Sequence, residues 1–231
     1  MMTFTPKRFL ALLLPVVLGA GPVAAGTIAG TARAQIATQA GTDAGAGGYG
    51  SRRYKFVERV DYAHLRDFVI YIDQAMPAGA KDGVPPPATL VQRDASFEPH
   101  VLPIAAGTTV RWPNEDDIYH NIFSMSGTKA FDLGYYKKEK TPELVFDHVG
   151  RVDVFCAIHT QMHCIVLVLP NRFFAKADAR GRFAIEDVPA GTYRVTAWQE
   201  RMPAQTREVV VPAEGEVTVD FVLGLSELPK Y

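Results

Sequence analysis

The densest chemistry in this chain lies in eight residues, Phe155 to Met162, which offer a thiol at Cys156, an imidazole at His159 and a thioether at Met162. Two residues separate each neighbouring pair. A soft thiolate, an imidazole and a weak thioether are the donors that suit copper in a trigonal site with a long axial bond. Such a site needs a second imidazole, and His120 supplies a candidate upstream, at the end of the polar stretch that starts at Asn114. One ligand on an early loop and three on a late loop is how a β-sandwich assembles a site at one end.

The elements needed to position these residues are present. From Ala88 onward the chain reads as short strands at close spacing: 89–92, 100–104, 108–112, 143–146, 151–155 and 164–169. Gly107 and Gly150 each precede a strand as turn residues. No stretch carries a helical period, so an antiparallel sandwich of Greek-key type is expected. Upstream, Gly26 to Ala32 and Phe68 to Ile72 read as strands, and Tyr54 to Val60 alternates. Between them, residues 35–53 are too poor in large apolar side chains to order themselves and read as a flexible loop. Residues 75–87, with Pro77, Gly79, Gly83 and Pro85 to Pro87, have linker composition and mark a domain boundary. After Pro170 a second all-β pattern runs to about residue 225.

The composition, 48% hydrophobic and 21% charged over 231 residues, is ordinary for a soluble protein with a real core. A net charge of −1 with no concentrated basic patch argues against a nucleic-acid partner. Lys7 and Arg8 precede an apolar run from Phe9 to Leu18, and Val23 to Ala25 supplies the small residues of a cleavage site. That pattern is an export signal over residues 1–25, too short and too interrupted by Gly19, Gly21 and Pro22 to be a membrane span. No later stretch is long enough to cross a bilayer. Removing Lys7 and Arg8 from the 24 basic residues leaves 22 against 25 acidic ones, a mildly acidic periplasmic or secreted protein. In such a compartment Cys156 and Cys164 also spell a disulfide. Against it, Cys156 stands in ligand spacing, and one thiolate cannot serve both purposes.

The ordered set Phe97 to Pro99, Ala106 to Val110, Trp112, Asn114, His120 and Asn121, Phe146 near Gly150, and Cys156, His159 and Met162 before an apolar strand resembles a cupredoxin of the plastocyanin/amicyanin type. The resemblance covers roughly residues 88–169. It implies one type 1 copper ion held by His120, Cys156 and His159, with Met162 as the axial ligand. It also implies that Asn114 ties the early ligand loop to the Cys156 loop, and that electrons pass through the exposed edge of His159. Two points depart from the pattern. His163 adjoins Met162 and competes with it as the fourth ligand, although neighbours in an extended segment point to opposite sides. Cys164 stands where the family places Gly, and is expected buried and inert. His64, His100 and His148 have no ligand-like company. The stretch from Gly134 to Lys140 is either a solvated loop or a patch that steers an acidic redox partner through Lys137 and Lys138.

Asp178 to Phe183, Ile185, and Val188 to Val195 resemble a carboxypeptidase regulatory-like domain, a small prealbumin-like sandwich. The two strands that normally open such a domain are missing locally, but 26–30 and 68–72 fit them. The expected fold is therefore all-β: a Greek-key cupredoxin β-sandwich inserted between the second and third strands of a prealbumin-like β-sandwich. The second unit would comprise residues 26–75 and 171–225, and the first residues 88–169. This arrangement favours cleavage after Ala25, since a cut after Ala34 would delete an edge strand. The function implied is one-electron transfer between redox partner proteins, not catalysis, because four protein ligands leave no open position. A copper chaperone or store recruiting His163 and Cys164, and a metal-free structural sandwich, are the alternatives.

Overall fold

Short runs of β-branched and aromatic residues, broken every few positions by Gly, Pro or Asp, can bury one face only by pairing into sheets. The computed structural model describes residues 25–35 and 65–224, and within them every regular element is a strand. The expected strand at 54–60, most of the 35–53 loop, His64 and the leader lie outside the described residues.

Eighteen strands follow in order. The first two are β1 (Ala25–Ala34) and β2 (Val69–Ile72). Then come β3 (Ala88–Thr89), β4 (Val91–Arg93), β5 (Ser96–Glu98), β6 (Val101–Ala105) and β7 (Thr108–Arg111). They are followed by β8 (His120–Ser126), β9 (Lys129–Tyr136), β10 (Glu143–Phe146), β11 (Gly150–Phe155) and β12 (His163–Leu169). The last group is β13 (Phe174–Lys176), β14 (Arg182–Pro189), β15 (Gly191–Gln199), β16 (Met202–Val211), β17 (Glu216–Thr218) and β18 (Phe221–Leu223).

Strands β3 to β12 build one sandwich. Its larger sheet runs β6-β12-β11-β8-β9 and its smaller sheet β10-β7-β3, with β4 and β5 paired as a separate hairpin. The order is of Greek-key type: β6 lies parallel to β12 rather than beside its sequence neighbour β7. Between the sheets Val110, Trp112, Ile122, Phe146, Val152, Val154, Val166 and Val168 form a dry core. Expectation and structure differ at β8 and β9. Residues 129–136 form a strand paired with 120–126, where the sequence reading had a loop beginning at Gly134. Strand β9 largely alternates half-buried and exposed positions and has no β-branched residue, a weak strand pattern, and its pairing with β8 fixes it.

The second sandwich is assembled from both ends of the described chain. β1 lies between β14 on one side and β17 and β18 on the other. β2 lies between β13 and β15 in the sheet β13-β2-β15-β16. So β1 is an interior strand rather than the edge strand expected. Ile28, Ile70, Ile72, Phe183, Ile185, Val195, Val209 and Phe221 close the core between these sheets. The largely apolar run 217–222 is divided between two strands. Gly30 of β1, at φ 155°, passes so close to Val219 that an added Cβ would lie 1.9 Å from its carbonyl oxygen, and the partner strand breaks there into β17 and β18.

The two sandwiches pack through β12. Its Cys164, Val166 and Val168 face the first core, while Ile165, Leu167 and Leu169 join Val69, Val101, Tyr71, Phe174 and Trp198 in a third apolar cluster. Burial on both faces is why this strand reads as an uninterrupted apolar run rather than an alternation.

Candidate metal centre

Backbone pairing alone brings the candidate ligands to one end of the larger sheet. His120 opens β8, Cys156 directly follows β11, and the antiparallel pairing of Phe155 with Phe123 sets the end of β11 level with the start of β8. From Cys156 the chain makes a tight loop into β12, closed by Met162 N–H to the His159 carbonyl at 2.9 Å and Cys156 N–H to the Met162 carbonyl at 3.3 Å. The loop's own hydrogen bonds hold Cys156 and His159 with their donor atoms 3.8 Å apart.

Three donor atoms converge. Cys156 Sγ lies 3.9 Å from His120 Nδ1 and 3.8 Å from His159 Nδ1, and the two nitrogens are 3.2 Å apart. A point shared by the three lies roughly 2 Å from each, the length of metal–imidazole and metal–thiolate bonds. Two imidazole nitrogens this close repel through their lone pairs unless a proton or a cation stands between them. The donor set and its spacing therefore fit a metal ion.

The orientation of His120 is fixed from behind. Its Nε2 lies 2.8 Å from Asp116 Oδ2, so Nε2 carries the proton and Nδ1 presents its lone pair to the centre. Asp116 is itself held, accepting the backbone N–H groups of Asp94 at 2.8 Å and Ala95 at 3.0 Å. Burial works against its charge. Those N–H donors and His120 more than offset the burial, and the carboxyl sits below its ordinary range. The sequence reading missed Asp116. The signal was its position four residues before His120 in an acidic run, which on a solvated loop looks like surface charge.

Asn114 is not where the resemblance put it. Its side chain donates to the carbonyls of Ile118 at 3.0 Å and Tyr136 at 3.1 Å and accepts the Asp116 N–H at 2.9 Å. It ties the loop before His120 to β9 and makes no hydrogen bond with the Cys156 loop among the described residues. Tyr136, just across β9, donates to the Trp112 carbonyl at 2.9 Å and accepts from Gln92 at 2.7 Å. Burial, and to a lesser degree the nearby Cys156, push its phenol well above the usual range.

The remaining candidates are placed as follows. Met162 is 1% exposed and packs in the same core cluster as Cys156. His163 turns away from Cys156 and His120, its Nε2 3.0 Å from Asp153 Oδ1. Cys164 is a buried free thiol pushed well above its ordinary range by burial, and Asp153 adds to the effect. Cys156 is likewise a free cysteine, so no disulfide joins the two. His148 stands in solvent. His100, read as lacking ligand-like company, in fact faces His163 and Glu200. Of the two lysines in the suggested patch, Lys138 pairs with Asp117 at 2.6 Å and Lys137 lies over the Tyr119 ring at 4.7 Å.

Comparison with known proteins gives two results. Residues 166–224 match the carboxypeptidase regulatory-like domain. The match begins inside β12, which pairs within the first sandwich, and leaves out β1 and β2, which pair within the second. No curated protein matches the chain. Among solved structures, the chain is similar to a purple cupredoxin from Nitrosopumilus maritimus, with 27% identity over 35% of this chain and 98% of that one, at a TM-score of 0.32. It is also similar to an amicyanin variant in the reduced Cu(I) form, with 26% identity over 43% and 97% of the two chains and a TM-score of 0.33. A copper-containing nitrite reductase from Thermus scotoductus SA-01 shares 29% identity over 43% of this chain and 26% of its own, with a TM-score of 0.36. The structural likenesses are to cupredoxins and the family match is to the carboxypeptidase regulatory-like domain, the two resemblances read from the sequence.

Proposed function

We propose that this protein is an exported one-electron carrier in which His120, Cys156, His159 and Met162 would hold a single type 1 copper ion. The observation that supports it most is the triangle of two Nδ1 atoms and one Sγ, 3.2 to 3.9 Å on a side, with Asp116 behind His120. Bound copper would supply a metal that changes oxidation state by one electron at a potential raised by the weak thioether.

The chain's own residues supply the rest. Asp116 holds the His120 proton on Nε2 and so keeps Nδ1 available. The closed loop 156–162 holds the Cys156 and His159 donors 3.8 Å apart. His159 is half-buried between the exposed residues Ala157, Ile158, Thr160 and Gln161, and provides the path to a partner surface. With Met162 buried inward as the fourth donor, no position is left for a substrate, which favours transfer over catalysis. The chaperone alternative needs His163 and Cys164 as extra ligands. His163 is turned from the first centre toward Asp153, and burial raises the Cys164 thiol well above its ordinary range, so neither is poised to join that centre. We assign cleavage after Ala25 rather than after Ala34, because the later cut would remove β1, which supplies a core residue, Ile28, to the second sandwich, and the leader pattern over residues 1–25 supports a periplasmic or secreted location. In the same reading the cupredoxin-like sandwich is an insertion between the second and third strands of the regulatory-like domain, which acts as its scaffold.

The test is the visible spectrum of the mature protein after addition of Cu(II), beside Cys156→Ala. An intense thiolate-to-copper band that disappears in the variant is the expected result. A colourless copper-loaded wild type would overturn the carrier reading.

A further inference from the structure

A second cluster of ligating side chains lies where the two sandwiches meet. His100, between β5 and β6, and His163, at the start of β12, come from the first sandwich. Glu200, in the turn between β15 and β16, comes from the second. One ring nitrogen from each histidine and a carboxylate oxygen of Glu200 lie within 4.8 Å of one another. We propose that these three residues bind a second metal ion, a divalent first-row cation of the zinc or copper class.

The hydrogen bonds sort the nitrogens. His100 Nδ1 lies 3.2 Å from the His163 carbonyl, which can only accept, so that nitrogen carries the proton. Its Nε2 lies 3.0 Å from Glu200 Oε2, so an acceptor faces each ring nitrogen. The arrangement is satisfied by a second proton on His100 or by a cation between Nε2 and the carboxylate. His163 Nε2 faces Asp153 Oδ1 at 3.0 Å, which leaves Nδ1 as its free donor. Each histidine thus spends one nitrogen on an oxygen acceptor that orients the ring and keeps the other for a metal, the usual construction of such sites.

The carboxylates are charged and fixed. Glu200 Oε1 faces Arg201 Nε at 3.3 Å, leaving Oε2 as a single ligand atom. Asp153 is gripped by Arg151 at 2.6 Å. Burial opposes both charges, yet both carboxyls lie below their ordinary range because His100 and Arg201, and Arg151 and His163, outweigh it. Two imidazoles and one carboxylate, without sulfur, suit zinc or copper rather than calcium or magnesium, which prefer all-oxygen shells. Because two ligands belong to one sandwich and the third to the other, an ion here clamps their junction. It would also adjoin the first centre: His163 follows Met162, and its ring stacks on Phe155, the neighbour of Cys156, at 4.9 Å.

The experiment is equilibrium dialysis of the mature full-length protein against Zn(II), counting zinc per chain in wild type, Glu200→Gln, His100→Gln and Cys156→Ala. Circular dichroism confirms that each variant is folded. Glu200→Gln and His100→Gln are expected to bind one zinc fewer than wild type, and the ion is expected to raise the wild-type melting temperature. Cys156→Ala should keep the zinc that the other two variants lose. Unchanged zinc content in folded Glu200→Gln and His100→Gln would overturn the proposal. Since the readout counts metal rather than colour, a failed copper spectrum sinks the carrier reading and leaves this one to be decided by stoichiometry.

Discussion

At the scale of single residues, Asp116 and Gly30 show two ways in which one side chain, or its absence, sets the outcome. Asp116 touches no metal position but decides which nitrogen of His120 is bare. Removing its charge leaves His120 in place with a weaker orienting partner. Asp116→Asn is therefore expected to lower copper affinity about 10- to 100-fold with the fold intact, measured by competition with a chelator of known strength. A copper affinity equal to wild type would show that the loop alone orients the ring. Gly30 acts through what it lacks, since a Cβ there collides with the Val219 carbonyl at a φ that L-residues avoid. Gly30→Ala should destabilise the protein by about 3 kcal/mol, read from the urea midpoint at constant slope. The candidate ligands Cys156, His159 and Met162 stood out by spacing, because residues on one short loop are close in sequence as well as in space. Asp116 did not, because in an acidic run it looks like surface charge, and His100 and Glu200 did not, because strands from distant parts of the chain bring them together.

At the scale of elements, what matters is how strands from distant parts of the chain are pinned. Asp220 links β18 to β1, accepting the Thr31 N–H at 2.8 Å and the Thr31 hydroxyl at 2.7 Å. These donors, the hydroxyl most, hold its carboxyl below the usual value. A carboxyl depressed in the folded state adds stability above its unfolded pKa, near 4, and loses it as pH falls through the folded value. Asp220→Asn should thus be less stable than wild type at pH 6, and the gap should close as the pH is lowered below about 4. Urea titrations of both proteins at several pH values measure it, and a gap independent of pH would assign the effect to geometry alone. Most strands of the first sandwich were readable, since β6, β7, β10, β11 and β12 are apolar runs with turn residues between them. The β8–β9 hairpin was not. Its exposed residues, among them Met125, Ala130, Asp132 and Tyr135, follow no strand pattern, and only the neighbouring strand tells that the backbone is paired.

At the scale of the whole molecule, β12 joins two cores, and the side chains that leave the first sandwich to enter the junction hold the protein together. Ile165 is fully buried there, beside Val69, Val101 and Leu169. Ile165→Ala is expected to cost about 2–5 kcal/mol by removing buried methyl groups and leaving a cavity. Copper-band bleaching and far-UV signal should then separate into two transitions, where the wild type shows one. Coincident transitions in the variant would mean that the junction contributes nothing to cooperativity.

The sequence by itself determined what depends on local order: strand-forming runs, the all-strand character of the described residues, the spacing of the candidate ligands Cys156, His159 and Met162, and the pattern of the regulatory-like domain. Each is carried by residues within a few positions of one another, where backbone geometry alone sets the distances. Tertiary structure decided what depends on closure over long separations. It placed His120 Nδ1 within 3.9 Å of a thiol 36 residues away, turned His163 from the first centre toward Asp153, and brought Glu200 to His100 across 100 residues. These meetings follow from which sheets share β12, and a strand's pairing partners are a property of the whole chain.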